Sequence, residues 1–454
     1  MVKDLRSFVQ LLERIAPTEV VRVKERVDPR YEITAYALEY ERRKRFPVLI
    51  FDRVGDYRLP VITNVHATRE RHALALETDR DRLVDEYTKR EASLIPPKRV
   101  SNGPVKERIF LGEDVNLTEL PIPTHFKQDA GAYITAGIIA ARDPDNPERT
   151  NASFHRMQVK DRNKLGVSLH SRRHLWDYQR RAEEKGKPLE IAVIIGVHPA
   201  VAFGGTWSGP LQTDHYQVMG GFLGEPLETV HCETVDLDVP ARAEIVLEGE
   251  ILPKVREPEG PFGEFTGYVS RRSTQHVIML RAICRREDAI FQDVVPGFSA
   301  EHSTLLGVPH EAQIYRALKA TVPTVKAVSY PVSGTCRFHC YISMKKAAEG
   351  QPKNAIFLAL AEDHSIKLVV VVDDDVDVYS ESEVLWAVAT RMQADEDVFI
   401  VPGVMASMLD PSNKEGLSAK MGIDATRPLS GWAAEKCTIP DNVAESVRAR
   451  IGGG

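Results

Sequence analysis

Two carboxylates, Glu259 and Glu264, flank a Gly-Pro-Phe-Gly core in the stretch EPEGPFGEFTGY. Pro261 fixes one φ angle and the glycines permit tight or positive-φ geometry, so a turn here can point both acids into one cavity. Two close carboxylates cannot both ionise cheaply, so one is expected to hold a proton near neutral pH, as a general acid must. The competing reading is a hairpin loop with solvated acids, and composition alone favours it. Upstream, RTNASFHRMQV packs Asn151, Ser153, His155 and Arg156 ahead of an apolar run. Asn and His can ligate a metal, and Arg can grip a carboxylate through two parallel bonds. A polar loop leading into a strand is the plainer alternative.

Three further stretches carry weaker signals. His170 and His174 stand four apart in LGVSLHSRRHLWDYQRR. That spacing could share a helix face, but with no HExxH pattern a two-histidine zinc site is not expected. FGGTWSGPLQTDHYQVMGGFLGE, with its glycines, Trp207 and Ser208, would let backbone approach a flat, charged cofactor; a flexible surface loop is the alternative. CRFHC, from Cys336 to Cys340, lacks a second ligand pair at zinc spacing and reads as reduced thiols in a strand.

The elements that must position these groups come from a chain of 454 residues, 43% hydrophobic and 27% charged, with a net charge of −6. That is globular composition, and at roughly 100–200 residues per domain it predicts two to three domains. The charge suggests neither a nucleic-acid partner nor an anionic membrane surface. The longest apolar runs, IAVIIGV and KLVVVVD, fall short of the roughly 18 residues that a membrane span needs. MVKDLRSFVQLLERI has an amphipathic helix pattern without the apolar segment of a secretory signal, so a cytoplasmic location is expected. Five scattered cysteines argue against a disulfide framework.

DLRSFVQLLERI places Leu5, Phe8, Leu12 and Ile15 on one helix face, with Asp4 as cap. YEITAYALEYERRK is also helical in spacing, while FPVLIFDRV and LPVITNV are short strands. SLIPPKRVSNGPVKE reads as a linker. Beyond it, YITAGIIAAR, IAVIIGVHPAVAF, AEIVLEGEIL and QHVIMLRAIC are strand-like, interrupted by one helix, HLWDYQRRAEEKGK. After residue 300, PHEAQIYRALKA is helical. SIKLVVVVDDDVDV has the β-branched run of a strand buried on both faces, ending in Asp373, Asp374, Asp375 and Asp377. SESEVLWAVATRMQ follows, with Ser380 and Glu383 spaced as a capping box. No internal repeats are seen, and the terminal IGGG is read as disordered.

TNASFHR, RRHLWD, CETVDLDVPARAEIVLEGEI, EPEGPFGEFTGY and VVVVDDDVDVYSESEVLWAVATR, in this order, resemble the UbiD family of prenylated-FMN-dependent (de)carboxylases. The resemblance implies an α/β (α+β) fold: a central split β-barrel flavin-binding domain over 106–300, flanked by smaller α/β domains over 1–105 and 301–454. The last would carry an oligomerisation helix, in a homodimer or homohexamer. It implies reversible, non-oxidative decarboxylation of an aromatic, heteroaromatic or α,β-unsaturated carboxylic acid, releasing CO2. The implied cofactors are prenylated FMN supplied by a flavin prenyltransferase, a divalent metal (commonly Mn2+) and K+.

The family's catalytic triad falls on Arg156, Glu259 and Glu264. Arg156 would orient the substrate carboxylate and Glu259; Glu264 would protonate the carbon that lost CO2; Glu257 is left as a solvent-facing bystander. Cofactor contacts are implied at Asn151, Ser153, Phe154, His155, Arg156, Arg173, His174, Thr206 and Trp207. Asn151 and His174 match two metal ligands. At the third position, a Glu in the family, this chain has His215, preceded by Asp214. Losing a hard oxygen ligand favours a softer metal, and Asp214 could serve if the loop shifts by one residue. Lys346, Lys353 and Lys367 are candidates for the flavin phosphate. The Asp373–Asp377 cluster is read as structural. GFSAEHSTLLGVPHE lines the pocket in relatives, which nominates His302 and Leu306; a solvent-facing loop histidine is the alternative for His302. Two other functions compete: a split-barrel flavin oxidoreductase, which needs no acid pair, and a non-catalytic subunit of a multi-component decarboxylase.

Overall fold

The computed structural model describes residues 2–169 and 173–451. It is a mixed α/β structure with four sheets among those residues. At the N-terminus, the helix Leu5–Ile15 is capped by Asp4 in a reciprocal capping box with Ser7. Its Leu5, Phe8 and Leu12 are buried, but Ile15, expected on the same face, is 54% exposed. That sheet joins Val20–Val27, Val48–Val54 and Val61–Thr63 to a fourth strand, Phe291–Gln292, far along the chain. Phe291 pairs with Val61 in parallel, so the first unit is bonded directly to the end of the strand-rich region.

The strand-rich region forms one nine-stranded sheet in which every pairing is antiparallel. Its inner strands bury both faces. Ile191, Val193 and Ile195 join one core, and Ala192 and Ile194 join another, as the two-residue alternation of a strand requires. The longest pair is Ile245–Glu259 with Ser273–Arg285, running until Glu259 faces Ser273. The acid stretch is therefore the tip of a long two-stranded arm.

Two helices cover the second face where strand and loop were expected. PAVAFGGT is the helix Pro199–Thr206, and HYQVMGGFL is the helix His215–Leu223. Each start is capped: the His198 ring accepts from Ala200 N, and the Asp214 carboxylate accepts from Tyr216 N and Gln217 N. Their glycines permit close packing. A Cβ on Gly204 would lie 2.3 Å from Met219, and one on Gly221 would lie 2.3 Å from the Ser93 carbonyl. The expected single helix of this region, His174–Glu184, is thus one of three among the described residues. The expected linker contributes a strand, Lys98–Arg99, which pairs with Glu228–His231.

The C-terminal sheet has five strands, with Leu368–Asp373 parallel to both neighbours and buried from Val369 to Val372. The helix Glu381–Arg391 follows, capped by Ser380. Of the CRFHC stretch, only Cys340 lies well inside a strand, His339–Met344; Cys336 sits in a turn with φ of +48°. The helix Ala300–Thr321 bonds to the first unit and packs against the C-terminal sheet. The helix Asp441–Ile451 has no buried residues. No helix among the described residues is long and apolar enough to cross a membrane.

Candidate active site

Arg156 follows the strand Asn146–Phe154, and Glu259 ends its own strand. The fold brings them together. Arg156 donates from Nε to Glu259 Oε1 and from Nη2 to Glu259 Oε2, each at 3.1 Å. Its Nη1 donates to Glu264 Oε1. The two acids differ in access: Glu259 is fully buried, while the Glu264 side chain keeps 13% of its surface. Burial works against the Arg156 charge, and Glu264 and Glu259 overcome it, raising Arg156 above its ordinary range. The guanidinium also lies over the Phe262 ring, 4.8 Å from its centre.

The turn is clamped by a segment to which sequence reasoning assigned no role. Asp129 accepts from Gly263 N at 2.9 Å with one oxygen and from Phe126 N at 2.8 Å with the other. Ala130 N donates to the Pro261 carbonyl at 3.0 Å. Gly263 must be glycine, since a Cβ there would fall 2.5 Å from the Phe126 ring. Gly260, at φ of +82°, starts the turn. Burial raises Asp129 above the usual carboxylate range, against its backbone donors. HFKQDAGAYI carries no local motif, so only the tertiary contact reveals this role. Glu257 is not a free bystander: it pairs with Lys164 at 3.0 Å.

His302 is in the first turn of the helix Ala300–Thr321, so the solvent-facing loop alternative is set aside. Its Nδ1 lies 3.2 Å from the Gly297 carbonyl. Burial lowers its basicity, with Glu264 opposing and Arg337 adding to the effect. Leu306 is one turn further along, half-buried.

The residues proposed for cofactor and metal gather around the two glycine-rich helices. Asn151 is buried and donates from its amide nitrogen to Ser153 Oγ at 3.1 Å, which leaves the amide oxygen as its ligating atom. Ser153 Oγ lies 3.0 Å from His155 Nε2. His174 and His215 each open a helix, and their rings stand 5.8 Å apart. His215 Nδ1 faces the Gly204 carbonyl at 3.2 Å, which leaves Nε2 as the acceptor; Nε2 is buried with no protein partner. Burial, with His174 nearby, pushes His215 down to about 4, so its ring is neutral at neutral pH.

Asp214, by contrast, is spent. Oδ2 accepts from Thr150 N, and Oδ1 accepts from Tyr216 N and Gln217 N. The donor set thus fits a cation held by imidazole and amide groups, with His215 rather than Asp214. No cluster of three or more His, Cys, Asp or Glu among the described residues could hold a metal ion. His170 lies outside the described residues.

Around these groups, Phe154 is half-buried and Arg173 donates to Ser208 Oγ at 3.2 Å. The Thr206 hydroxyl bonds to the Phe203 carbonyl, and the Trp207 indole N–H bonds to Glu91. The three candidate phosphate lysines are engaged elsewhere: Lys346 with Glu349, Lys353 with the Glu396 carbonyl, and Lys367 with Asp410 and Ser412.

Residues 14–91, 98–299 and 303–425 match the N-terminal, Rift-related and C-terminal domains of 3-octaprenyl-4-hydroxybenzoate carboxy-lyase, UbiD. Anhydromevalonate phosphate decarboxylase of Methanothermobacter thermautotrophicus is 42% identical over 436 residues, covering 95% of this chain and 98% of that protein. The UbiD-class enzyme HmfF from Pelotomaculum thermopropionicum, in complex with FMN, superposes with a TM-score of 0.92 at 42% identity, covering 96% of this chain and 97% of HmfF. An evolved dimeric form of HmfF, in complex with prFMN, gives 0.89 at 39% identity, covering 97% and 98%.

Proposed function

The chain belongs to the UbiD family of carboxy-lyases, and from that premise we propose that it decarboxylates a phosphorylated α,β-unsaturated acid through Arg156 and Glu264. The observation that carries the reaction is one guanidinium shared by a buried and a more open glutamate. Of the five N–H donors on Arg156, three are committed to the acids, so two remain to hold the substrate carboxylate. Glu259 stays buried and fixes the plane of the guanidinium. Glu264, the more accessible of the two, delivers its proton to the carbon that keeps the electron pair when the C–C bond breaks and CO2 departs. It then recovers a proton from solvent.

When bound, prenylated FMN supplies the electron sink for that bond cleavage. Ser153, Phe154, His155, Arg173, Thr206 and Trp207 would border it. Asn151, His174 and His215 would hold a divalent ion, softer than the family's usual set implies, with K+ beside it.

The substrate class follows from the relative that shares 42% identity over nearly its full length. By its name, that enzyme's substrate is a dehydrated mevalonate phosphate, and loss of water toward the carboxylate would make it a conjugated acid bearing a phosphate. The test is co-expression with a flavin prenyltransferase, followed by CO2 release over a panel of acids. Turnover of the phosphorylated alkenoic acid, with aromatic acids inert, is expected. Turnover of aromatic acids alone would assign the other substrate class.

A further inference from the structure

The CRFHC turn, bland as a cysteine motif, encloses several unsatisfied polar groups. Gly334 is fixed as glycine, because a Cβ would lie 2.4 Å from His339. Thr335 and Cys336 then take φ of +61° and +48°, conformations that cost non-glycine residues of order 1–3 kcal/mol each. Thr335 Oγ1, Arg337 Nε and His339 Nδ1 are buried without a protein partner. Strained backbone and unmatched donors in one five-residue turn mark a ligand site more readily than a structural corner.

Arg337 is aimed by a relay. Tyr330 Oη donates to Asp363 Oδ2 at 3.2 Å, and His310 Nδ1 lies 3.5 Å from the same oxygen. Burial and the Arg337 charge keep His310 neutral, so its Nε2 accepts from Arg337 Nη1. The guanidinium rests over the Phe265 ring at 5.6 Å, and Phe265 is the residue after Glu264. Both Arg337 and Glu264 act electrostatically on the His302 ring. Burial and Arg173 both weigh against the Arg337 charge, and Asp363 offsets them in part. Arg337 thus has a single carboxylate, Asp363, set against its charge while Arg173 opposes it, which leaves positive charge in excess around the turn.

Resting on the phosphorylated-acid reading above, we propose that Arg337, backed by Arg173 and aimed by His310, binds the substrate's distal phosphate. Arg156 and Arg337 then hold the two anionic ends of one molecule, with His302 and Leu306 along its middle. A phosphate monoester suits the planar fork of Arg337, whose Nε and second Nη remain unspent. It also supplies acceptors for the orphaned donors of the turn.

The test uses the full-length, FMN-loaded protein and inorganic phosphate as probe, read by calorimetry, with Arg337→Gln and Arg337→Lys as variants. FMN retention and unfolding midpoint serve as the folding controls. Phosphate affinity is expected to fall about 100-fold in R337Q and about 10-fold in R337K, where charge remains but the fork is lost. KM for the phosphorylated acid should rise in step, with kcat nearly unchanged. Equal phosphate affinity in wild type and either variant overturns the site. Loss of phosphate binding in R337Q, in a protein that turns over no phosphorylated acid, keeps the site and removes the substrate reading. Equal turnover of the phosphorylated acid by wild type and R337Q does the reverse.

Discussion

Two arginines in this protein each hold two carboxylates, and the settings differ. Among the described residues, Arg156 is the one cation bonded to Glu259 and Glu264, so those three groups carry an excess negative charge when both acids are ionised. Arg391 holds Asp373 and Asp375 at the end of a buried strand, but Arg427 and Lys436 reach the same pair. There three cations serve two acids. The backbone adds to the match, since Arg427 N also donates to Asp373 Oδ2. A cluster built for stability meets each charge more than once. The Arg156 cluster instead leaves one acid, Glu264, sharing its cation and partly exposed, as the proton-transfer role proposed above requires.

The sharpest break in that comparison comes from removing one acid on one side and the cation on the other. Glu264→Gln should lower CO2 release about 1,000-fold, since a positioned general acid contributes roughly 10²–10⁴. Its unfolding midpoint should stay near wild type. Arg391→Met should do the opposite. It leaves a mostly buried Asp373 short of its main partner and should cost about 3 kcal/mol of stability, toward the low end for a broken buried pair because Arg427 and Lys436 remain. The turnover of its folded fraction should match wild type. If E264Q decarboxylates as fast as wild type, or R391M loses kcat without losing stability, the two clusters have been assigned the wrong way round.

A smaller effect tests what aims the site cluster. Asp129→Asn keeps the shape of the clamp but leaves one oxygen to serve two backbone donors, Gly263 N and Phe126 N. The turn carrying Glu264 should loosen, with kcat down about 10-fold and KM little changed, because proton delivery depends on angstrom-level placement. An equal rise in KM would place Asp129 in substrate binding instead.

The grouping of Arg156 with Glu259 and Glu264 was legible because they lie in two short, strongly patterned stretches whose turn chemistry is local. So were the capped N-terminal helix and the buried strand Leu368–Asp373, where periodicity and capping residues agree. The two glycine-rich helices were not. Glycine argues against a helix on propensity, and the packing of Gly204 on Met219 and of Gly221 on the Ser93 carbonyl is set by chain far away. Asp129 and Arg337 share that character, because their roles exist only once distant segments meet. At the metal position the sequence left His215 and Asp214 open. The helix start engages both Asp214 oxygens, which favours His215 in the reading proposed above.

Glu301 extends the comparison to a carboxylate held by neutral donors alone. It is fully buried and accepts from Thr63 Oγ1, Asn64 N, His66 N and Val295 N. Burial outweighs those donors and pushes it up to about 7. An unfolded glutamate titrates near 4.3, so between roughly pH 4 and 7 the folded state binds more protons than the unfolded one. Stability from this group is therefore fullest at low pH and is lost as pH rises through about 7. The unfolding midpoint of wild type should fall by a few degrees relative to Glu301→Gln on going from pH 5 to pH 8, whatever offset the substitution brings. A difference that stays flat across that window would mean that the four donors, and not burial, set the charge of Glu301. A cation would then be unnecessary for keeping a buried carboxylate ionised in this fold, and the contrast between the two arginine clusters would lose its basis.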